Sequence, residues 1–130
     1  MPRRPPRVAV ADPFPDEREL LDQVFSSAGY EVDVLLPQPL DVAIARVLST
    51  QPDLVVTRIR PERFGIELTA AVKADHRTRG IPVIVLTTEV RPELRDLARQ
   101  AGADEVLLLP SLPDEMVRIA EALLHKRRRS

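Results

Sequence analysis

The residue with the most chemical consequence is Arg58, which ends the run Pro52-Asp53-Leu54-Val55-Val56-Thr57-Arg58. A short apolar run opened by a proline fits a strand covered on both faces, as at the centre of a parallel sheet. The residue at the carboxyl end of such a strand points into the crevice where open α/β sheets hold ligands. A guanidinium there has a pKa above about 12 and no usable lone pair, so it pairs with anions and attacks nothing. Asp12 follows Val8-Ala9-Val10-Ala11, Thr87 follows Val83-Ile84-Val85-Leu86, and Leu109 closes a run that begins at Val106. The spacing therefore predicts that a carboxylate, a guanidinium, a hydroxyl and an apolar side chain converge at one end of the sheet.

Few other groups could do chemistry. The absence of cysteine excludes thiol nucleophiles, disulfides and thiolate metal sites, and is compatible with a reducing cytosol. His76 and His125 stand alone, with no second ligand at metal spacing, and read as surface residues. Thr87 and Thr88 offer hydroxyls to an anion, although threonines at a strand-to-helix junction more often cap backbone. Gly29, Gly65, Gly80 and Gly102 never cluster into a phosphate-cradling loop, and no Gly-x-Ser-x-Gly elbow is present. Arg58, Arg60 and Arg63 form a basic loop that could hold an acidic ligand or simply be solvated. No enzymatic activity is expected, and no catalytic residue is assigned.

The elements that position these residues alternate strand and helix five times. Val8 to Ala11 is a first strand, and Pro15-Asp16-Glu17 opens a helix with acids near its positive end. Leu20, Leu21, Val24, Phe25 and Ala28 recur at the spacing of one buried helical face, and Gly29 suits the left-handed residue that ends the helix. Val32 to Leu36 reads as a second strand, and Pro39 as the first position of a helix carrying Leu40, Ala43, Ile44, Val47 and Leu48. Leu54 to Thr57 is the third strand, followed by a loop through Phe64-Gly65 and a helix over Ile66 to Ala74. Val83 to Leu86 is the most apolar strand and is placed centrally. Pro92 starts a helix with Leu94, Leu97, Ala98 and Ala101, stopped by Gly102, and Val106 to Leu109 is the fifth strand. Leu112-Pro113-Asp114-Glu115 begins the last helix, with Met116, Val117, Ala120, Leu123 and Leu124 inward. Strands separated by single helices imply right-handed crossovers and a parallel sheet.

A chain of 130 residues makes one domain able to bury its own core, and 3% aromatic content leaves the packing to aliphatic side chains. No apolar run approaches the roughly 20 residues that span a bilayer, and the stretch before Asp12 is too short for a secretory signal, so a cytoplasmic protein is expected. Arg3, Arg4, Arg7, Lys126, Arg127, Arg128 and Arg129 carry seven of the 19 basic charges, and all 20 acids lie between them. The body is acidic and a poor nucleic-acid surface. Residues 1–6 and 126–130 read as frayed, solubilising ends of a domain spanning 7–125, with contact to nucleic acid or an acidic partner as the other reading.

Four phrases in order resemble one family. Val8 through Tyr30, Pro52 to Leu54, Ile81-Pro82-Val83-Ile84-Val85-Leu86-Thr87 and Ala101-Gly102-Ala103-Asp104 are similar to the receiver domain of bacterial response regulators, over Arg7 to Leu124. The resemblance implies a flavodoxin-like α/β fold: a doubly wound five-stranded parallel sheet of order 2-1-3-4-5 with five helices. It also implies a magnesium ion and phosphoryl transfer from a histidine kinase to an aspartate. Matched residue by residue, the chemistry departs from that pattern. Asp12 matches the first of the family's paired acids, but Pro13 stands where the second, a metal ligand, belongs. Arg58 stands at the phosphoacceptor aspartate, Leu109 before Pro110 at the lysine that pairs with the phosphoryl group, and Val106 at the aromatic switch. Only Asp12 and the hydroxyl position Thr87 remain.

A degenerate receiver acting as a phosphorylation-independent protein-interaction module is therefore expected, with no cofactor and the Mg2+ site lost. The alternative is a receiver phosphorylated at an unorthodox site. Arg58 is expected either to reach Asp12 as a salt bridge replacing the metal, or to snorkel to solvent while Asp12 caps the next helix. Expected partners are other signalling proteins, a histidine kinase or an output domain, and a second copy, with no membrane contact and nucleic acid unfavoured. By resemblance the docking face is the fourth helix, fifth strand and fifth helix, whose exposed residues are Arg91, Glu93, Asp96, Arg99, Arg118 and Glu121.

Overall fold

A computed structural model describes residues 4–36 and 39–129. Arg3 of the amino-terminal basic cluster, with Met1 and Pro2, and Ser130 at the other end lie outside the described residues. The elements alternate as β1 (Arg7–Ala11), α1 (Pro15–Ser27), β2 (Glu31–Leu35), α2 (Leu40–Thr50), β3 (Leu54–Arg58), α3 (Phe64–Ala74), β4 (Val83–Thr87), α4 (Pro92–Gln100), β5 (Glu105–Leu108) and α5 (Pro113–Arg128). All pairings are parallel and the order is β2-β1-β3-β4-β5, as the sequence predicts.

The pleat sorts side chains between two layers. Val8, Val10, Leu54, Val56, Ile84 and Leu86 pack under α1 and α5 against Leu21, Phe25, Met116, Ala120 and Leu124. Ala9, Ala11, Val55, Val83 and Val85 face α2, α3 and α4 through Ala43, Val47, Leu68, Val72 and Ala98. β3 and β4 are buried along their whole length, whereas β2 and β5 are partly exposed edges. That gradient is why their sequences read as continuous apolar runs.

Several boundaries differ from the sequence reading, each for a local reason. β3 includes Arg58, because the ladder with β4 continues to the pair Arg58 and Leu86. β2 and β5 each begin one residue earlier than expected, at Glu31 and Glu105. Pro39 is the residue before α2 rather than its first, with extended backbone at ψ 149°. Leu20 and Ala28 of the supposed buried stripe are exposed, since α1 turns them toward α5 and away from the sheet. The basic residues Lys126 to Arg128 are the last turn of α5, beyond the expected boundary at 125. Lysine and arginine are good helix formers, and their charge is favourable at a helix carboxyl terminus.

α3 starts at Phe64, so the expected loop through Phe64-Gly65 is helical. A Cβ on Gly65 would overlap the Arg58 carbonyl oxygen and sit 2.8 Å from its carbon. Only glycine lets α3 lie this close to the end of β3. Gly65→Ala is expected to lower unfolding stability by about 1–3 kcal/mol in urea denaturation. Gly80, whose Cβ would meet nothing within 4 Å, serves as the control: Gly80→Ala should stay within about 0.5 kcal/mol of the parent. Equal effects at the two positions would contradict the close approach.

Candidate functional site

The sheet reverses direction of winding between β1 and β3, and ligands bind at such a point beyond the carboxyl ends. Ala11 pairs with Thr57 and Arg58 with Leu86, so Asp12, Arg58 and Thr87 emerge at one level. Asp53, at the start of β3, lies at the other end, where its carboxylate accepts the Arg7 N–H at 2.8 Å.

The site is a buried cluster of ionisable groups. Asp12 is 3% exposed and Arg58 5%. Contrary to the expected pair, Arg58 does not take Asp12 as its ion-pair partner: its Nε lies 3.4 Å from Oε1 of Glu17. Nor does it snorkel. Its guanidinium carbon sits 5.0 Å from the centre of the Phe14 ring, which roofs the charge from solvent.

The local sequence explains the exchange of partners. Phe14 precedes α1, Pro15 is its first residue and Glu17 its third. A glutamate in that position commonly reaches back to the N–H of the residue before the helix. Here Oδ1 of Asp12 already accepts the Phe14 N–H at 2.8 Å, closing a tight turn. Glu17 is thereby free to turn over the end of β3 toward Arg58. Sequence reasoning treated Glu17 only as a helix-terminal acid, and the available signal was this competition for one N–H.

Burial, first, and then hydrogen bonding and repulsion from Asp12 push the Glu17 carboxyl up to about 7, with Arg58 opposing the rise. Near neutrality Glu17 is therefore partly protonated beside the guanidinium. Oδ2 of Asp12, Oε1 of Glu17 and Nε and Nη1 of Arg58 are all buried without a hydrogen-bond partner among the described residues. The cluster is held by charge, ring stacking and packing more than by directed hydrogen bonds.

The other family positions are structural. Oγ1 of Thr87 accepts the Glu89 N–H at 3.0 Å and its carbonyl accepts the Leu109 N–H at 2.7 Å, so this threonine caps the turn after β4. Leu109 packs onto the α1–α5 side of the core and Val106 onto the opposite layer. Pro13, with Asp12, Arg60, Pro61 and Phe64, borders a pocket of about 50 Å³. Arg60, Thr88 and Glu89 line a neighbouring cavity of about 170 Å³ beside Arg58. Of the expected docking face, Glu93, Asp96 and Arg99 lie on α4 and Arg91 caps its start, with Arg91 paired to Glu89 and Arg99 to Asp96. Arg118 and Glu121 do not join them, because they open into the cleft between α5 and α1.

Magnesium takes hard oxygens in an octahedral shell, usually with one or two carboxylates. The residues present do not fit it. Asp12 contributes one carboxylate, Pro13 none, the Glu17 carboxyl is turned toward Arg58, and a fixed guanidinium shares the space. Among the described residues no three acidic or histidine side chains cluster for a metal.

Two outcomes follow from this electrostatic arrangement. The Glu17 carboxyl is raised from 4.5, so its contribution to stability is complete below pH 4.5 and lost as the pH climbs through about 7. Across that window the urea midpoint of the parent should fall relative to Glu17→Gln, and parallel profiles would refute the raised carboxyl. Removing the guanidinium leaves the half-buried Glu17 carboxyl without its ion-pair partner, so Arg58→Leu should cost about 1–3 kcal/mol at pH 7 by the same measurement.

The family model described as the response regulator receiver domain matches residues 8–121. The phosphate regulon transcriptional regulatory protein PhoB of Pseudomonas aeruginosa is 29% identical over 120 residues, 92% of this chain and 52% of that protein. A 14.6 kDa protein of Leptolyngbya boryana, named for its place in the sodA1 3′ region, is 30% identical over 115 residues, 88% of this chain and 86% of its own. The chain spans about half the length of most curated relatives it matches. The fold is that of a putative response regulator from Chloroflexus aurantiacus, with TM-score 0.85 at 24% identity and coverage of 94% of this chain and 99% of that one. It is also that of the receiver domain of sensor histidine kinase PA1611 from Pseudomonas aeruginosa, solved with magnesium in its cleft, with TM-score 0.83 at 21% identity over 94% and 99% of the two chains. With the profile covering nearly the whole chain and the strand order in agreement, this protein belongs to the response regulator receiver domain family.

Proposed function

We propose that this receiver domain of two-component signalling works without aspartyl phosphorylation, as a protein-interaction module held in one state. The observation that carries the reading is the buried Arg58 at the end of β3, paired with Glu17 and roofed by Phe14. A guanidinium cannot serve as the acceptor nucleophile. Phosphoryl transfer further needs a metal and a cation to balance the charge of the moving group. Pro13 and Leu109 supply neither, and Arg58 is already committed to its carboxyl partners.

The module's output then depends on its surfaces. Arg91 before α4, the α4 charges Glu93, Asp96 and Arg99 and the β5 edge offer a mixed-charge face suited to a signalling partner such as a kinase, an output domain or a second copy. Leu108 and Leu112, both exposed, add apolar contact area beside that edge. Among the described residues no helix is long and apolar enough to cross a membrane.

Incubation with acetyl phosphate and magnesium should leave the intact mass of the protein unchanged. Beryllofluoride with magnesium should likewise leave the backbone amide spectrum around Asp12, Arg58 and Thr87 undisturbed. A hydroxylamine-sensitive gain of one phosphoryl group would overturn the reading and reveal an acceptor elsewhere in the crevice.

A further inference from the structure

Both cationic ends of the chain arrive at the same pole of the sheet, opposite the carboxyl-end crevice. Arg7 begins β1 there, with Nη1 donating to the Thr50 carbonyl at 3.3 Å and Nη2 lying 3.3 Å from Glu31. From the last turn of α5, Arg127 donates to the Asp53 carbonyl at 3.2 Å, which fixes the carboxyl-terminal arginines beside the amino-terminal ones. Arg4, Arg7 and Arg128 line one cleft of about 300 Å³ together with Glu31, Thr50 and Asp53. Two charge runs more than a hundred residues apart in sequence thus become one patch on an otherwise acidic body.

The pole carries more cation than its own acids can neutralise. Glu31 and Asp53 are engaged by Arg7 and Arg127. Arg4, Arg128 and Arg129 are exposed and make no ion pair among the described residues. None of the exposed large hydrophobic side chains, Phe14, Leu20, Leu36, Val42, Val90, Leu108 and Leu112, belongs to this cleft. A patch without apolar anchors has little with which to enter a lipid surface or grip a peptide side chain. Without an aromatic ring in the cleft it also lacks a platform for unstacked bases. What a cluster of arginines fits is an ordered array of phosphates, which guanidinium groups bind in a bidentate manner.

We infer that this pole is a docking surface for the phosphodiester backbone of duplex DNA, engaged without base readout through Arg4, Arg128 and Arg129. The assignment rests on the convergence of the two ends and is independent of whether the opposite crevice is phosphorylated. It takes up the alternative reading of the basic ends over the favoured one, because the fold brings together Arg4, Arg7 and Arg128 from the two ends.

The test is fluorescence anisotropy of the whole chain with a labelled 20-base-pair duplex of mixed sequence, titrated at several salt concentrations. Each phosphate neutralised contributes about −0.9 to the slope of log K against log salt, so three free arginines give a slope of about −2.7. Affinity should then fall about 40-fold between 50 and 200 mM salt and be independent of sequence. Arg4→Glu/Arg128→Glu should abolish binding, whereas Arg63→Glu/Arg118→Glu, with the same change in net charge on other faces, should retain it. These positions are exposed, and circular dichroism of each variant checks that the fold is kept. Equal loss in both double variants would show an effect of net charge alone and overturn the inference. So would absence of duplex binding at 50 mM salt, or binding confined to duplex RNA, to a polyglutamate peptide or to anionic vesicles.

Discussion

A permanent positive charge placed at the end of the most enclosed strand governs this structure. Removing an ion from water carries an effective penalty of several kcal/mol, and a buried guanidinium persists only where opposite charge surrounds it. Asp12 and Glu17 supply that charge and the Phe14 ring supplies the roof. The same arrangement opposes a divalent cation. Two unit charges about 4 Å apart interact by about 4 kcal/mol at an effective dielectric constant near 20, so a doubly charged ion beside the guanidinium would be opposed by about 8 kcal/mol. Asp12 already accepts the Phe14 N–H and Glu17 already faces Arg58, so neither is free to offset this. Cation for cation, the arginine takes the electrostatic place of a metal and brings no coordination chemistry with it.

The backbone around the cluster is arranged for the same end. The Asp12 turn takes up the Phe14 N–H, which releases Glu17, and α3 is drawn against the Arg58 carbonyl by the lack of a side chain at Gly65. Thr87 bonds the turn that follows it, and through its carbonyl holds the end of β5. The backbone groups at the crevice are thus bonded by neighbours, while the charged side chains are held by charge and packing. In a packed interior such commitments tend to give discrete arrangements rather than graded ones.

Much of the architecture was legible because the signals are local and repeated. The apolar runs at Leu54 to Val56 and Val83 to Leu86 are long enough to require cover on both faces, and the helices between them fix parallel pairing. The convergence of Asp12, Arg58 and Thr87 followed from that topology alone. The identity of the counter-ion did not, because periodicity says which face an acid occupies but not which of two acids a third group will release. Leu20 misled for a related reason: one helical stripe can serve the sheet or the cleft to α5, and spacing treats these alike. The basic carboxyl-terminal run read as loose because its composition suits a solvated tail equally well. Its helical path is set by the macrodipole and by Arg127 reaching Asp53, a contact 74 residues away in sequence.

A receiver that makes and breaks a covalent bond changes state because modification alters the free energy of two conformations. On the proposed reading Arg58 removes that input, and a change of state is driven by binding. A partner shifts the equilibrium only by its differential affinity for the two forms, and moving a population from 1:99 to 99:1 takes about 5.5 kcal/mol of such difference. The buried ion cluster raises that requirement, since opening the crevice would expose or separate charges that now compensate one another. The arrangement therefore favours recognition of one rigid shape by a partner over relay of a signal through the crevice. Its information lies in which surfaces are shown and how much of the protein is present, and the two poles of the sheet differ accordingly: one neutralised from within, the other left with cations to spare.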